Sequence, residues 1–171
     1  MFISYQKNPA QTCCFTGHRP EKLPWGDDES DPRCIALQEK IYDAAEAAYR
    51  SGIRHYICGM AKGCDLWFCE AVIRLRDEYA GITLEAAIPC ETQAAAWDEA
   101  TRSRYFYLVS QCDEETLVQR EYTPDCMVKR NRYMVDHSSL LIAAYSGAFG
   151  GTMQTVNYAK KQGLTVIELT P

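Results

Sequence analysis

No run of about 18 uninterrupted apolar residues, the length that spans a bilayer, occurs in this 171-residue chain. The opening stretch MFISYQKNPAQ also lacks the charged-then-apolar order of a secretory leader. A cytoplasmic protein with no membrane partner is therefore expected. Cationic excess is missing as well: 18 Lys and Arg against 23 Asp and Glu leave a net charge of −5. That balance argues against a broad surface that gains affinity by releasing counterions from a phosphate backbone. The densest basic stretch is VKRNR at 128–132, so nucleic acid is a disfavoured partner rather than an excluded one. None of the nine cysteines falls in a C-x-x-C pair, and with metal-ligand spacings lacking no metal site is expected. Most sit inside apolar segments such as HYICGM and LWFCEAV, where a reduced thiol packs as a small hydrophobe. The adjacent Cys13 and Cys14 should face opposite sides of a strand.

What is present is a chain that is 47% hydrophobic and 24% charged, long enough to bury one sizeable core, and a single domain over 1–171 is expected. Apolar, β-rich runs recur at 12–17, 53–59, 82–89, 104–112, 139–147 and 164–169. Helical patterns lie between them. The first should start after Asp31-Pro32, a cap followed by proline at the first helical position, and carry Ile35, Ile41, Ala45 and Ala48 on one face to a stop at Gly52. Others are predicted from Gly63 to Ala80, from near Thr92 and carrying Trp97, from Thr123-Pro124, and from Gly151 to Gln162. Alternating strands and helices imply right-handed crossovers. The expected fold is an α/β, Rossmann-like three-layer sandwich: a mostly parallel sheet of five to six strands with helices on both faces.

In such a sheet, ligands bind outside the carboxyl ends of the strands. Three strand exits carry glycine-rich corners: TGHRP after the first strand, GMAKGCD after the second and SGAFGGT after the fifth. Glycine suits a sharp turn or a close backbone approach. Two of the corners feed a helix whose free N–H groups favour an anion. Phosphate is the natural guest, although neither G-x-x-x-x-G-K-[ST] nor a G-x-G-x-x-G after the first strand is present. Gly150 and Gly151 would let the main chain wrap a phosphate, with the Thr152 hydroxyl adding a bond; Gly147 opens the same corner. The structural alternative is that these glycines serve tight turns only.

Taken together, the blocks CFTGHRP, GMAKGCDLWFCEAV, IPCETQAAAW and CMVKRNRYMVDHSSLLIAAYSGAFGGTMQTVNYAKKQG resemble the YpsA family of the SLOG superfamily, which also holds the DprA/Smf proteins and the LONELY GUY (LOG) nucleotide phosphoribohydrolases. The likeness runs from about Cys13 to Leu169 and implies a Rossmann-like fold with a nucleotide-type ligand. LOG enzymes carry an Arg-Lys pair on the helix before a P-G-G-x-G-T-x-x-E loop, and the resemblance puts Arg130 at the arginine, Asn131 at the lysine and Thr155 at the glutamate. Glycosidic cleavage needs a carboxylate or another proton-transfer group, and a threonine supplies neither. Asp65, Glu85, Glu91 or His18 would have to substitute. GMAKGCD is also similar to the S-G-x-A-x-G-I-D segment of DprA/Smf, with Gly59, Ala61, Gly63 and Asp65 in register. Those proteins bind single-stranded DNA, but here the acidic balance is unfavourable and no aromatic platform interleaved with Lys and Arg is evident.

The candidate ligand-binding set is thus Thr16, Gly17, His18, Arg19, Gly59, Ala61, Gly63, Asp65, Arg130, Asn131, Gly147, Gly150, Gly151 and Thr152. His18 suits a phosphate or acid/base role, or a hydrogen bond that fixes its loop. Arg19 suits a bidentate phosphate contact, or a salt bridge to the acidic 27–31 loop. Asp65 suits ribose hydroxyls, or a plain helix cap. Cys64 is the one thiol near a cationic cleft, and Trp97, Tyr105, Phe106 and Tyr107 read as packing, with base stacking as the alternative. The leading expectation is a nucleotide or nucleotide-derivative binder, ADP-ribose-like ligands included, acting as sensor or regulator. A LOG-like hydrolase and a DprA-like single-stranded DNA binder are the alternatives. The sequence names no cofactor or catalytic residue, and a homo-oligomer is compatible with it.

Overall fold

The computed structural model describes residues 7–171. Six strands and five helices alternate: β1 Thr12–Gly17, α1 Pro32–Arg50, β2 His55–Cys58, α2 Cys64–Glu78, β3 Thr83–Ile88, α3 Glu99–Gln111, β4 Glu114–Leu117, α4 Cys126–Asp136, β5 Leu140–Ala144, α5 Gly151–Lys161 and β6 Thr165–Leu169. All pairings are parallel, in the order β4-β3-β2-β1-β5-β6. The order reverses beside β1, whose neighbours are β2 and β5. That is a topological switch point, where departing loops splay apart and leave a crevice. No helix among the described residues is long and apolar enough to cross a membrane.

Two apolar layers clamp the sheet. Cys13 lies in the layer shared with α1, α2 and α3, Cys14 in the layer shared with α4 and α5, as the two-residue period of a strand requires. Phe15 stacks on Phe68 of α2 with ring centroids 4.6 Å apart, and each such buried side chain contributes about 1.5–3 kcal/mol. Helix α1 begins as its sequence predicts: Pro32 follows Asp31, whose carboxylate accepts the Arg33 N–H at 2.8 Å. Its inward stripe includes Cys34, Leu37, Ile41, Ala45 and Ala48, while Ile35 points outward and is 52% exposed.

The run at 104–112 is not a strand. It forms most of α3, with Tyr105 and Leu108 buried and Val109 and Cys112 packed on the same core, while Phe106 and Tyr107 face water. Inward positions at 105, 108, 109 and 112 follow the helical period rather than an alternation. The helix starts at Glu99 under an Asp98 cap, so Trp97 precedes it instead of riding on it. The strand that takes the edge is β4, EETL, too short and too acidic to announce itself by composition.

Near the start of β2 the sheet buries charge. Glu85 of β3 has no exposed side-chain surface and lies 3.0 Å from the Lys7 ammonium. It also bonds His55 Nε2 at 2.8 Å and accepts the Thr116 hydroxyl at 2.6 Å and the Tyr133 hydroxyl of α4. Lys7 extends the network to Glu114 at 3.0 Å. Burial alone would raise the Glu85 carboxyl, but the donors from His55, Thr116, Tyr133 and Lys7 outweigh it and hold the group at about 2. A folded value below the unfolded one adds stability that is complete above the ordinary 4.5 and lost as pH falls towards 2. Glu85→Gln should therefore cost about 3 kcal/mol at pH 7, because the partners stay buried without their counter-charge. It should also flatten the loss of stability between pH 5 and 2. Urea unfolding across that range checks both.

Candidate functional site

The crevice at the switch point is a hollow of about 300 Å³, at the small end of ligand cavities. The exit of β1 supplies Thr16 to Arg19, Glu21 and Lys22; the loop into α2 supplies Ala61 and its first turn Asp65; α4 supplies Met127, Arg130 and Asn131; α5 supplies Gly151 and Thr152. Phe15 closes the floor. Ten of the sequence-predicted residues thus line one cavity. Arg19, Lys22 and Arg130 stand there against Glu21 and Asp65, a locally cationic place in an acidic molecule.

Arg130 is the most constrained of these side chains. Its guanidinium is 4% exposed and donates through Nη1 to the Gly59 carbonyl in a short bond and to Gln93 Oε1 at 3.3 Å. Nε donates to Asn131 Oδ1 at 2.8 Å. Burial lowers the proton affinity of Arg130, with the Asp65 carboxylate opposing that shift. In return, burial raises Asp65, and Arg130 is foremost among the groups that pull it back down. No direct salt bridge joins the two; instead Asp65 Oδ2 accepts the Ala61 N–H at 3.1 Å. The cap of α2 is Gly63, so Asp65 is a loop brace and hollow-lining charge rather than an N-cap. Met60, fully buried, takes a left-handed φ of 58° between Gly59 and Ala61, a conformation costly for a side-chain-bearing residue.

Four expected ligand glycines lie off the hollow and have other work or none. A Cβ on Gly59 would come within 2.8 Å of the Arg130 guanidinium, so that glycine makes room for the arginine. Gly63, at φ +81°, lets the α2 entry pack on the His18 carbonyl and Pro20. Gly150 abuts the Lys22 ammonium. Gly147 turns at φ +82° with open space around it.

His18 makes the loop-fixing bond and also faces the hollow. Its Nε2 accepts the Ser146 N–H at 3.1 Å, tying the β1 exit to the β5 exit, and the ring lines the hollow. A neutral ring accepting at Nε2 carries its proton on Nδ1, and that buried atom has no partner. Burial, then the nearby Lys22, lowers its proton affinity, so the imidazole is uncharged at neutral pH. Arg19 is exposed and makes no ion pair among the described residues; the acidic loop takes other partners, Glu29 with Arg104 at 2.6 Å and Asp31 with Arg33.

Asn131 Nδ2 donates to Thr155 Oγ1 at 3.0 Å, and Thr155 Oγ1 donates to the Gly151 carbonyl at 2.9 Å. The position where the resemblance calls for an acid is thus a strut under the first turn of α5, which has no side-chain cap of its own. Of the substitute acids, Glu85 is in the ionic network and Glu91 pairs with Arg120 at 3.1 Å; Asp65 alone reaches the hollow with His18. Cys64 is buried, and burial pushes its thiol up, which disqualifies it as a nucleophile. Lys22, Glu21, Phe15 and Met127 were missed; the first two sit in a loop whose composition gave no sign of direction. Also missed was the gathering of His55, Glu85 and Glu114, whose ligand-type atoms lie within 4.8 Å of one another. They come from three strands, with no motif spacing, and the Lys7 ammonium already supplies the cation there.

Comparison with known proteins agrees with this architecture. A family model described as the YspA SLOG family (YpsA) matches residues 13–165. The SPbeta prophage-derived protein YoqJ of Bacillus subtilis (strain 168) is 29% identical over 144 residues, covering 77% of this chain and 84% of that protein. A UPF0398 protein of Bacillus thuringiensis (strain Al Hakam) is 29% identical over 154 residues, covering 86% and 82%. Among solved structures, DNA processing protein A (DprA) of Streptococcus pneumoniae superposes with a TM-score of 0.62 at 16% identity, over 93% of this chain and 50% of that one. The Helicobacter pylori DprA structure, described for its single-stranded DNA binding mode, gives 0.62 at 15%, over 94% and 65%. The chain spans about half to two thirds of these DprA chains, and the likeness is one of fold.

The packing around Gly59 gives a direct check. Gly59→Ala should cost about 3 kcal/mol, since a buried guanidinium must shift away from its acceptors. Gly151→Ala, whose Cβ would meet open space, should be near neutral. Urea denaturation midpoints of the two variants measure the contrast.

Proposed function

The chain belongs to the YspA SLOG family, and we propose that it binds a nucleotide or nucleotide-derived small molecule in the hollow at the switch point, as a sensor or regulator. The observation that carries this reading is the convergence of Arg19, Lys22 and Arg130 with the uncapped first turn of α5 in one cavity. A phosphate there would receive the N–H groups and dipole of α5 and the unpaired guanidinium of Arg19. Thr152 lines the same end. Asp65 would accept from ribose hydroxyls.

Binding without turnover is the favoured form, because Thr155 replaces the acid that the LOG resemblance associates with cleavage and is engaged at both of its bonds. Of the two carboxyls lining the hollow, Glu21 is exposed and Asp65 is buried, so Asp65 is the group that would have to serve a leaving base as acid. Release of free base from nucleoside monophosphates would therefore convert the reading to a hydrolase. A second reading, single-stranded nucleic acid, takes its support from the fold shared with the H. pylori DprA and predicts salt-sensitive retention of oligonucleotides.

Titration calorimetry with nucleoside mono- and diphosphates and with ribose 5-phosphate tests the first reading. Arg19→Ala should weaken binding about tenfold or more. Gly151→Asp, which puts a carboxylate at the α5 N-terminus, should abolish it. Absence of binding across the panel, or wild-type affinity in both variants, would overturn the proposal.

A further inference from the structure

We infer that the site has a second compartment, built on Trp97, that receives the planar base of the ligand. The inference rests on the reading that the first hollow holds a sugar phosphate. A smaller hollow of about 160 Å³ adjoins the first and shares Arg19, Glu21 and Met127 with it; Lys62, Gln93 and Trp97 complete its lining. The shared residues make it a continuation of the same cleft rather than a separate depression.

Trp97 is prepared for this. Tryptophans 25 and 67 are buried in the core, whereas Trp97 is half-buried. Its ring is steadied by an edge-on contact with Tyr105 at 5.3 Å, and its carbonyl accepts Arg102 Nη1 at 3.1 Å. Asp98, the next residue, caps α3, so the backbone that carries the ring is fixed on both sides. The Lys62 ammonium stands over the ring, 5.6 Å from the centroid. At a half-exposed site such a cation holds less strongly than a stacked base does, and the other tie of Lys62, to the exposed Asp98 at 4.0 Å, is a weak surface pair. Gln93 discriminates weakly among bases, because one of its amide hydrogens already goes to the Gly59 carbonyl and its oxygen already accepts from Arg130. The compartment therefore recognises a base by its flat face and the Met127 thioether rather than by its hydrogen-bonding edge, and it should accept all four common bases.

The test compares ribose 5-phosphate with AMP, GMP, CMP and UMP on the full chain, by calorimetry and tryptophan fluorescence. The four nucleotides should bind about tenfold more tightly than ribose 5-phosphate and quench the emission, which ribose 5-phosphate should not do. In Trp97→Ala the ratio of the two affinities should fall to near one, and Trp97→Phe should restore most of it. If ribose 5-phosphate binds as tightly as the nucleotides and none quenches, the second compartment is overturned while the phosphate site stands. Trp97→Ala with an unchanged ratio has the same meaning. If none of the five ligands binds, both readings fall together.

Discussion

Arg130 carries a permanent positive charge into a place that water scarcely reaches. A guanidinium cannot shed its proton in a protein, so the surrounding chain must supply acceptors, and much of the upper edge of the sheet is arranged to do so. The Gly59 carbonyl at the end of β2, the Gln93 amide from the loop after β3 and the neighbouring Asn131 take its hydrogen bonds. The Asp65 carboxylate at the start of α2 supplies the opposing field. Gly59 lacks a side chain because the guanidinium occupies the space where one would be. Through Asn131 and Thr155 the same constraint reaches the first turn of α5. One buried cation thereby ties two segments that line the hollow, the β2 exit and the first turn of α5, to the loop after β3.

Helix α4 shows how far polar anchors can govern packing. Its buried apolar contribution is small, Cys126, Met134 and Val135, yet its register is fixed twice. Arg130 locks it to the β2 exit, and Tyr133, three residues on, locks it to Glu85 in the ionic network with Lys7 and His55. Buried polar groups of this kind add less net stability than hydrophobic residues would, but they admit few alternative arrangements. A helix held by apolar contacts alone could slide by a turn at modest cost. This one would strand the Arg130 charge and take a hydrogen-bond donor from Glu85.

The fold was legible because its signals are periodic. Alternating Cys13 and Cys14, the Asp31-Pro32 start of α1 and the glycine corners all report backbone geometry, and backbone geometry is local. The mistakes fell where local signals conflict. Tyr105 to Cys112 is rich in β-favouring residues but spaced as a helix, and β4 has neither length nor apolar character to mark it. In the site, Arg19, Asp65 and Thr152 could be found because they follow strand ends. Gly59 and Gly63 were attributed to a ligand because a glycine required by a neighbouring side chain or carbonyl looks the same, in sequence, as one required by a phosphate. Glu85 carries the plainest lesson. Its partners at 7, 55, 114, 116 and 133 are scattered along the chain, and nothing short of three-dimensional folding announces that they meet.

Position 155 joins these strands of argument. A carboxylate there would lie beneath the first turn of α5, where it would partly neutralise the positive end of the helix and compete with Asn131 and Gly151 for hydrogen bonds. Threonine does the opposite. It accepts from Asn131, donates to the Gly151 carbonyl, and leaves the helix terminus electrically uncompensated. The hollow that results has a surplus of positive charge, a neutral His18 and one buried carboxyl, Asp65, held by its backbone contact. On the proposed reading, such a site would favour an anion that stays, since its positive charge is in place before any reaction begins. On that reading, the threonine that stands where the resemblance calls for an acid also leaves the α5 terminus more favourable to an anion.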